Sequence, residues 1–151
     1  GVYVDHDADA DRGLHRFTYS LLPHSGEWRA GDVARHGYDL NNPLHAAHLE
    51  PQPTGTLPAS YTYAEVATDH VILETVKQAE DEAAYIIRVY EYKQYRNNAV
   101  TIQFGQPILR AVECNLLEQG AGAVSVDGRR LTFAIGPYEI KTFKVWFGQP
   151  A

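Results

Sequence analysis

Seven histidines stand out in this 151-residue chain: His6, His15, His24, His36, His45, His48 and His70. Imidazole is both a metal ligand and a proton-transfer group near neutral pH. The closest pair, His45 and His48, sits just after Pro43. An i, i+3 pair can share a metal ion only with further ligands from elsewhere in the fold. No His-Glu-x-x-His element accompanies it, so the histidines read as surface or interface residues, with a metal site as the rival reading. Carboxylates are the second resource. Two carboxyl groups about 5–10 Å apart are the minimum machinery for breaking a glycosidic bond. Glu74, Glu80, Asp81, Glu91, Glu113, Glu118 and Glu139 could supply them. Glu74, Glu91 and Glu113 alternate with apolar neighbours, which is the pattern of a solvated sheet face.

Three further features bear on chemistry. Arg88, flanked by Ile86, Ile87 and Val89, is expected to hold a carboxylate partner such as Glu91 or Glu74, with a ligand contact as the alternative. Cys114 lies between Glu113 and Asn115 with no histidine beside it, so it reads as a core filler and not as an activated thiol. Tyr61, Tyr63, Tyr85, Tyr90, Tyr92 and Tyr95 form either a sugar-stacking platform or simply a set of strand formers. No Gly-x-Gly-x-x-Gly, P-loop or Gly-x-Ser-x-Gly element occurs. The residues name no catalytic, metal-binding or substrate-binding set.

The elements that would carry these residues are mostly strands. Residues 1–13, with Asp5, Asp7, Asp9 and Asp11, read as a solvated connector. Leu14 to Leu22 alternates apolar and polar and stops at Pro23, the pattern of a half-buried strand. Trp28 to Leu44 carries helical spacing closed by Asn41-Asn42-Pro43, so one short helix is expected there. Residues 51–60 are rich in proline and read as a linker. Eight strands are then expected, at Tyr61–Val66, Val71–Lys77, Ala84–Tyr92, Val100–Phe104, Ile108–Leu116, Ala123–Val126, Arg130–Ile135 and Ile140–Phe147. Lys77 to Glu82 reads as a charged hairpin loop. Asp127-Gly128 reads as the centre of a tight hairpin turn. Such short, regularly spaced strands specify an all-β fold, an antiparallel β-sandwich over about 61–148, preceded by one strand and one short helix.

Composition agrees with a single globular domain: 44% of residues are hydrophobic and 21% charged. Thirteen basic residues against nineteen acidic ones give a net charge of -6, and the basic residues are scattered, so nucleic acid is not the expected partner. No apolar run reaches the roughly 18 residues of a membrane span. The single cysteine excludes an internal disulfide and is compatible with a reducing compartment, which favours the cytoplasm. The chain has no methionine and is expected to be a piece of a larger protein. The strand at 14–22 has too few local partners, so it is expected to pack on the sandwich or to self-associate through its edge.

Six blocks, in order, resemble the C-terminal region of the α-mannosidases of glycoside hydrolase family 38. They are Asp11 through Trp28, Asn41-Asn42-Pro43-Leu44, Val71 through Asp81 with its Lys77-Gln78-Ala79-Glu80-Asp81 turn, Ile86-Ile87-Arg88-Val89-Tyr90-Glu91, Asn115-Leu116-Leu117-Glu118, and Pro137-Tyr138-Glu139-Ile140-Lys141-Thr142-Phe143. Tyr138 stands where the family more often has Phe. The resemblance implies a parent enzyme that is zinc-dependent and retaining, and that removes terminal α-linked mannose through a covalent mannosyl-enzyme intermediate. Its nucleophile and zinc ligands would lie in an N-terminal portion that nothing here matches. By this resemblance the chain is the inert C-terminal β end, holds no cofactor of its own, and has the catalytic portion of the same polypeptide as its partner. Residues 11–28 would be the last strand of a larger sandwich, with the helix as a connector. The functional alternative is a carbohydrate-binding module that recognises mannosides through Tyr92 and Tyr95, and a homo-oligomer is a further expectation.

Overall fold

The computed structural model describes residues 12–48, 50, 55 and 58–148. Most of the expected connector and linker lies outside them. The chain divides into two units, Gly1–Pro43 and Leu44–Ala151.

In the first unit the helix α1 spans Val33–Asn41, shorter than the 28–44 pattern. Turns occupy 28–32, and Asp32 adopts a left-handed backbone (φ 48°) at the helix start. The end is fixed chemically. Asn42 donates its backbone N–H and its side-chain amide to the Tyr38 carbonyl (2.9 and 3.0 Å), and Pro43 lacks the N–H to continue. No residue of α1 is buried. The strand expected over 14–22 is not formed: among the described residues it has no β-ladder, and Leu14, Phe17, Tyr19 and Leu21 are at least 80% exposed. Alternation marks a segment fit for a sheet, but a strand exists only when a neighbour accepts its hydrogen bonds.

The second unit contains all eight expected strands: β1 Ala64–Val66, β2 Val71–Gln78, β3 Tyr85–Glu91, β4 Asn97–Phe104, β5 Ile108–Cys114, β6 Ser125–Asp127, β7 Arg130–Ile135 and β8 Ile140–Phe147. They form two four-stranded sheets, β1-β4-β7-β6 and β2-β3-β8-β5, with every pairing antiparallel. Alternate residues point inward from both. Val100, Ile102 and Phe104 of β4 and Leu131, Phe133 and Ile135 of β7 face Ile87 and Val89 of β3 and Phe143 and Val145 of β8. The Phe133 and Phe143 rings meet across the sheets at 4.7 Å. A smaller cluster of Ala79, Ala84 and Ile86, with Trp146 against it, lies on the outer face of the second sheet, because Ile86 has the opposite parity to Ile87.

Several local expectations shift: β1 starts at Ala64 and not Tyr61, β4 starts at Asn97 and not Val100, and β6 runs Ser125–Asp127 and not Ala123–Val126. The strand expected to reach Leu116 ends at Cys114, since Asn115 starts a turn: its Oδ1 accepts the backbone N–H groups of Leu117 and Gln119, both at 2.9 Å. The β6–β7 hairpin turns on Gly128-Arg129 and not on Asp127-Gly128. Asp127 stays in the ladder opposite Arg130, and Gly128 takes the first loop position with φ 58°, a conformation that costs glycine nothing.

Candidate functional site

The most heavily engaged functional group in the sandwich is the Glu91 carboxylate. Read as part of a solvated sheet face, it is instead 1% exposed. Its parity explains this, since 87, 89 and 91 lie on one side of β3 and that side is the core. At the end of β3 the carboxylate accepts four backbone N–H groups: Lys93 at 2.8 Å, Gln94 at 3.0 Å, Tyr95 at 2.9 Å and Tyr138 at 2.8 Å. Gln94 and Tyr138 both hold left-handed backbones (φ 67° and 55°), so the carboxylate stabilises two strained turns at once. Burial pushes its pKa up, but the four N–H donors outweigh it and hold it below the ordinary glutamate value. A carboxylate held ionised by fixed donors is an anchor, not a proton donor.

Beside it, Tyr92 is buried and donates its hydroxyl to the Asp69 carbonyl at 2.8 Å. The Asp69 carboxylate meets His70 Nδ1 at 3.2 Å and Lys93 Nζ at 3.4 Å. The His70 hydrogen bond is the main cause of an Asp69 pKa below the ordinary aspartate value. Tyr95 packs edge-on against His70 at 5.4 Å and stays half exposed. Tyr92 and Tyr95 therefore do not present a pair of open rings.

Of the remaining carboxylates, Glu80, Glu82, Glu113, Glu118 and Glu139 are divided among three lysines. Lys77 Nζ lies 2.6 Å from Glu80 and 2.7 Å from Glu118, and Glu118 also accepts the Glu80 N–H at 2.9 Å. Lys141 bridges Glu113 (2.6 Å) and Glu139 (3.3 Å), and Lys144 pairs with Glu82 at 2.9 Å. A glycosidase acid needs its pKa raised. Glu118 moves the other way, drawn down chiefly by Lys77. Arg88 finds neither expected carboxylate: Glu91 is aimed at the opposite face, and Arg88 donates to Thr142 Oγ1 at 3.2 Å and to the Leu116 carbonyl at 3.4 Å. Cys114 contacts the Thr142 carbonyl at 3.7 Å, and burial pushes its thiol up, away from thiolate reactivity.

His48 Nε2 lies 3.8 Å from Glu50, and both side chains are exposed. Among the described residues no three His, Cys, Asp or Glu side chains gather as a metal-binding group.

Four of the six sequence blocks are thus spent on holding one another. The β3 motif ending in Glu91 grips Tyr138 of the Pro-Tyr-Glu-Ile-Lys-Thr block. The Lys77-Gln-Ala-Glu80 turn is tied to Glu118 of the Asn-Leu-Leu-Glu block, and Arg88 reaches both Leu116 and Thr142. Parity alone could have assigned Glu91 to the interior, and three of its donors follow it directly in sequence, but no local pattern announces the Tyr138 N–H, 47 residues away.

Comparison with known proteins agrees with the order of these blocks. Residues 70–143 match the family model described as the glycosyl hydrolases family 38 C-terminal beta sandwich domain. The chain is 33% identical to alpha-mannosidase G of Dictyostelium discoideum over 143 residues, covering 91% of this chain and 13% of that protein. It is 34% identical to human alpha-mannosidase 2C1 over 139 residues, covering 89% of this chain and 13% of the relative. The mouse alpha-mannosidase 2C1 is 32% identical over 149 residues, 95% of this chain and 14% of its own length. The chain spans about one eighth of the length of the relatives it matches. With its two antiparallel sheets and its interlocked motifs, the chain belongs to the family 38 glycosyl hydrolases, as their C-terminal β-sandwich domain.

Proposed function

We propose that this domain is a non-catalytic support for an α-mannosidase that removes terminal α-linked mannose. In this reading a zinc ion and the retaining nucleophile belong to residues outside the chain. The observation that carries the reading is the Glu91 carboxylate, buried and fully committed to four backbone donors that join two motif blocks. Motifs absorbed in this way maintain a shape. The partner in this reading is the catalytic portion of the same polypeptide. The exposed apolar set Phe17, Tyr19 and Leu21, of one parity along the chain, supplies a face for a strand added to a neighbouring sheet.

The first test assays the 151-residue chain against a chromogenic α-mannoside, with and without added zinc. No turnover is expected in either case; zinc-dependent turnover would overturn the reading. The second replaces Phe17, Tyr19 and Leu21 by lysine in the full-length enzyme. The expected outcome is a shorter half-life on heating with KM unchanged. An unchanged half-life would remove this segment from the assembly role.

A further inference from the structure

At the opposite end of β3 from Glu91, the β2–β3 hairpin encloses a shallow cleft of about 240 Å³, lined by Gln78, Ala83, Ala84 and Tyr85. Gln78 and Tyr85 are direct partners across the ladder, so their side chains rise together on one face. The Tyr85 ring is 43% exposed and held from behind by Tyr63 (ring centroids 6.0 Å apart) and Phe147 (5.6 Å). The cleft wall is fixed as well. Ala79 N–H donates to the Ala84 carbonyl at 2.9 Å, Ala84 N–H to the Glu82 carbonyl at 2.8 Å, and Glu82 is pinned by Lys144.

We propose that this cleft binds one neutral pyranose ring, stacked on Tyr85 and hydrogen-bonded to Gln78. Three properties of the lining select that class. The lining itself carries no charge, and of the charged residues of the hairpin Lys77, Glu80 and Glu82 are spent on ion pairs with one another, with Glu118 and with Lys144, leaving the exposed Asp81 outside the lining. It offers an open aromatic face, whose negative quadrupole attracts the polarised C–H bonds of a sugar face. It offers a carboxamide with no hydrogen-bond partner among the described residues, able both to donate to and accept from a hydroxyl. The volume lies below the roughly 300–1,000 Å³ of sites for larger ligands, so a single ring is what fits. This site is independent of the support role, and neither stands or falls with the other.

The test is a ¹H–¹⁵N NMR titration of the whole 151-residue chain with methyl α-D-mannopyranoside, with the open-chain polyol sorbitol as control. Saturable shifts are expected at Gln78, Ala83, Ala84 and Tyr85, with a Kd on the order of 1–10 mM, and none with sorbitol. Tyr85→Ala should abolish them and Tyr85→Phe should keep them. Gln78→Leu, at an exposed position that leaves the aromatic packing intact, should weaken binding roughly tenfold and decides the matter if Tyr85→Ala fails to fold. Absence of saturable shifts, an equal response to sorbitol, or binding unaltered in Gln78→Leu would overturn the proposal.

Discussion

Glu91 shows how a charge can be buried without being a site. A carboxylate taken out of water loses several kcal/mol of hydration unless donors replace it, and here four backbone N–H groups do so. Those N–H groups gain an acceptor in turn, in two turns whose backbones run left-handed. Glu91→Gln keeps the shape but turns one acceptor oxygen into an NH2 facing N–H donors. The expected cost is about 2–4 kcal/mol, since hydrogen bonds to charged groups are worth roughly 1.5–3 each and a buried unpaired donor adds its own penalty. It would be read as a lower denaturant midpoint with an unchanged slope. The same geometry sets a pH dependence. The folded pKa of Glu91 is depressed, so its contribution is complete above the unfolded carboxylate value of about 4.3 and is lost as pH falls through the lower, folded value. The wild-type chain should therefore lose stability below about pH 4, and Glu91→Gln should flatten that fall. Equal slopes in the two proteins would show that other carboxylates carry it.

At the level of elements, the strands were legible because alternation reports directly which side of a sheet is dry. All eight could be placed from parity and turn residues, and β7 and β8 match to the residue. What could not be read were features that depend on a neighbour. Leu14 to Leu22 has the right alternation and, among the described residues, no ladder; Glu91 takes one of its four donors from Tyr138, 47 residues away; Arg88 reaches Thr142 and Leu116 and neither Glu91 nor Glu74. The end of β5 is a middle case, since the Asn115 turn is local and its Oδ1 acceptor role is typical of asparagine. Asn115→Ala removes two side-chain hydrogen bonds to backbone and should cost about 1–2 kcal/mol. It should also loosen Glu118, so that the Glu80 amide, held by that carboxylate at 2.9 Å, exchanges faster than in the wild type. An unchanged Glu80 exchange rate would mean that Lys77 alone positions Glu118.

At the scale of the whole molecule the two units differ in how they are stabilised. Every buried apolar side chain among the described residues lies between Val71 and Val145, and the first unit, with Leu14, Phe17, Tyr19 and Leu21 exposed, contributes none. Burial of apolar surface is the dominant favourable term in folding. The stability of the chain therefore resides in the sandwich, and the apolar side chains of the first unit represent free energy not yet realised. This gives a discriminating experiment. A chain beginning at Leu44 should melt within about 2 °C of the 151-residue chain, because a loss of even 1 kcal/mol would lower the midpoint of a domain this size by roughly 4 °C or more. The longer chain should show fast amide exchange over residues 14–22, whereas under the proposed support role the same amides should be protected in the full-length protein. A large drop in midpoint on truncation would mean that the first unit stabilises the sandwich directly. Protection of residues 14–22 in the isolated chain, together with a concentration-dependent mass, would point to self-association of copies through that segment.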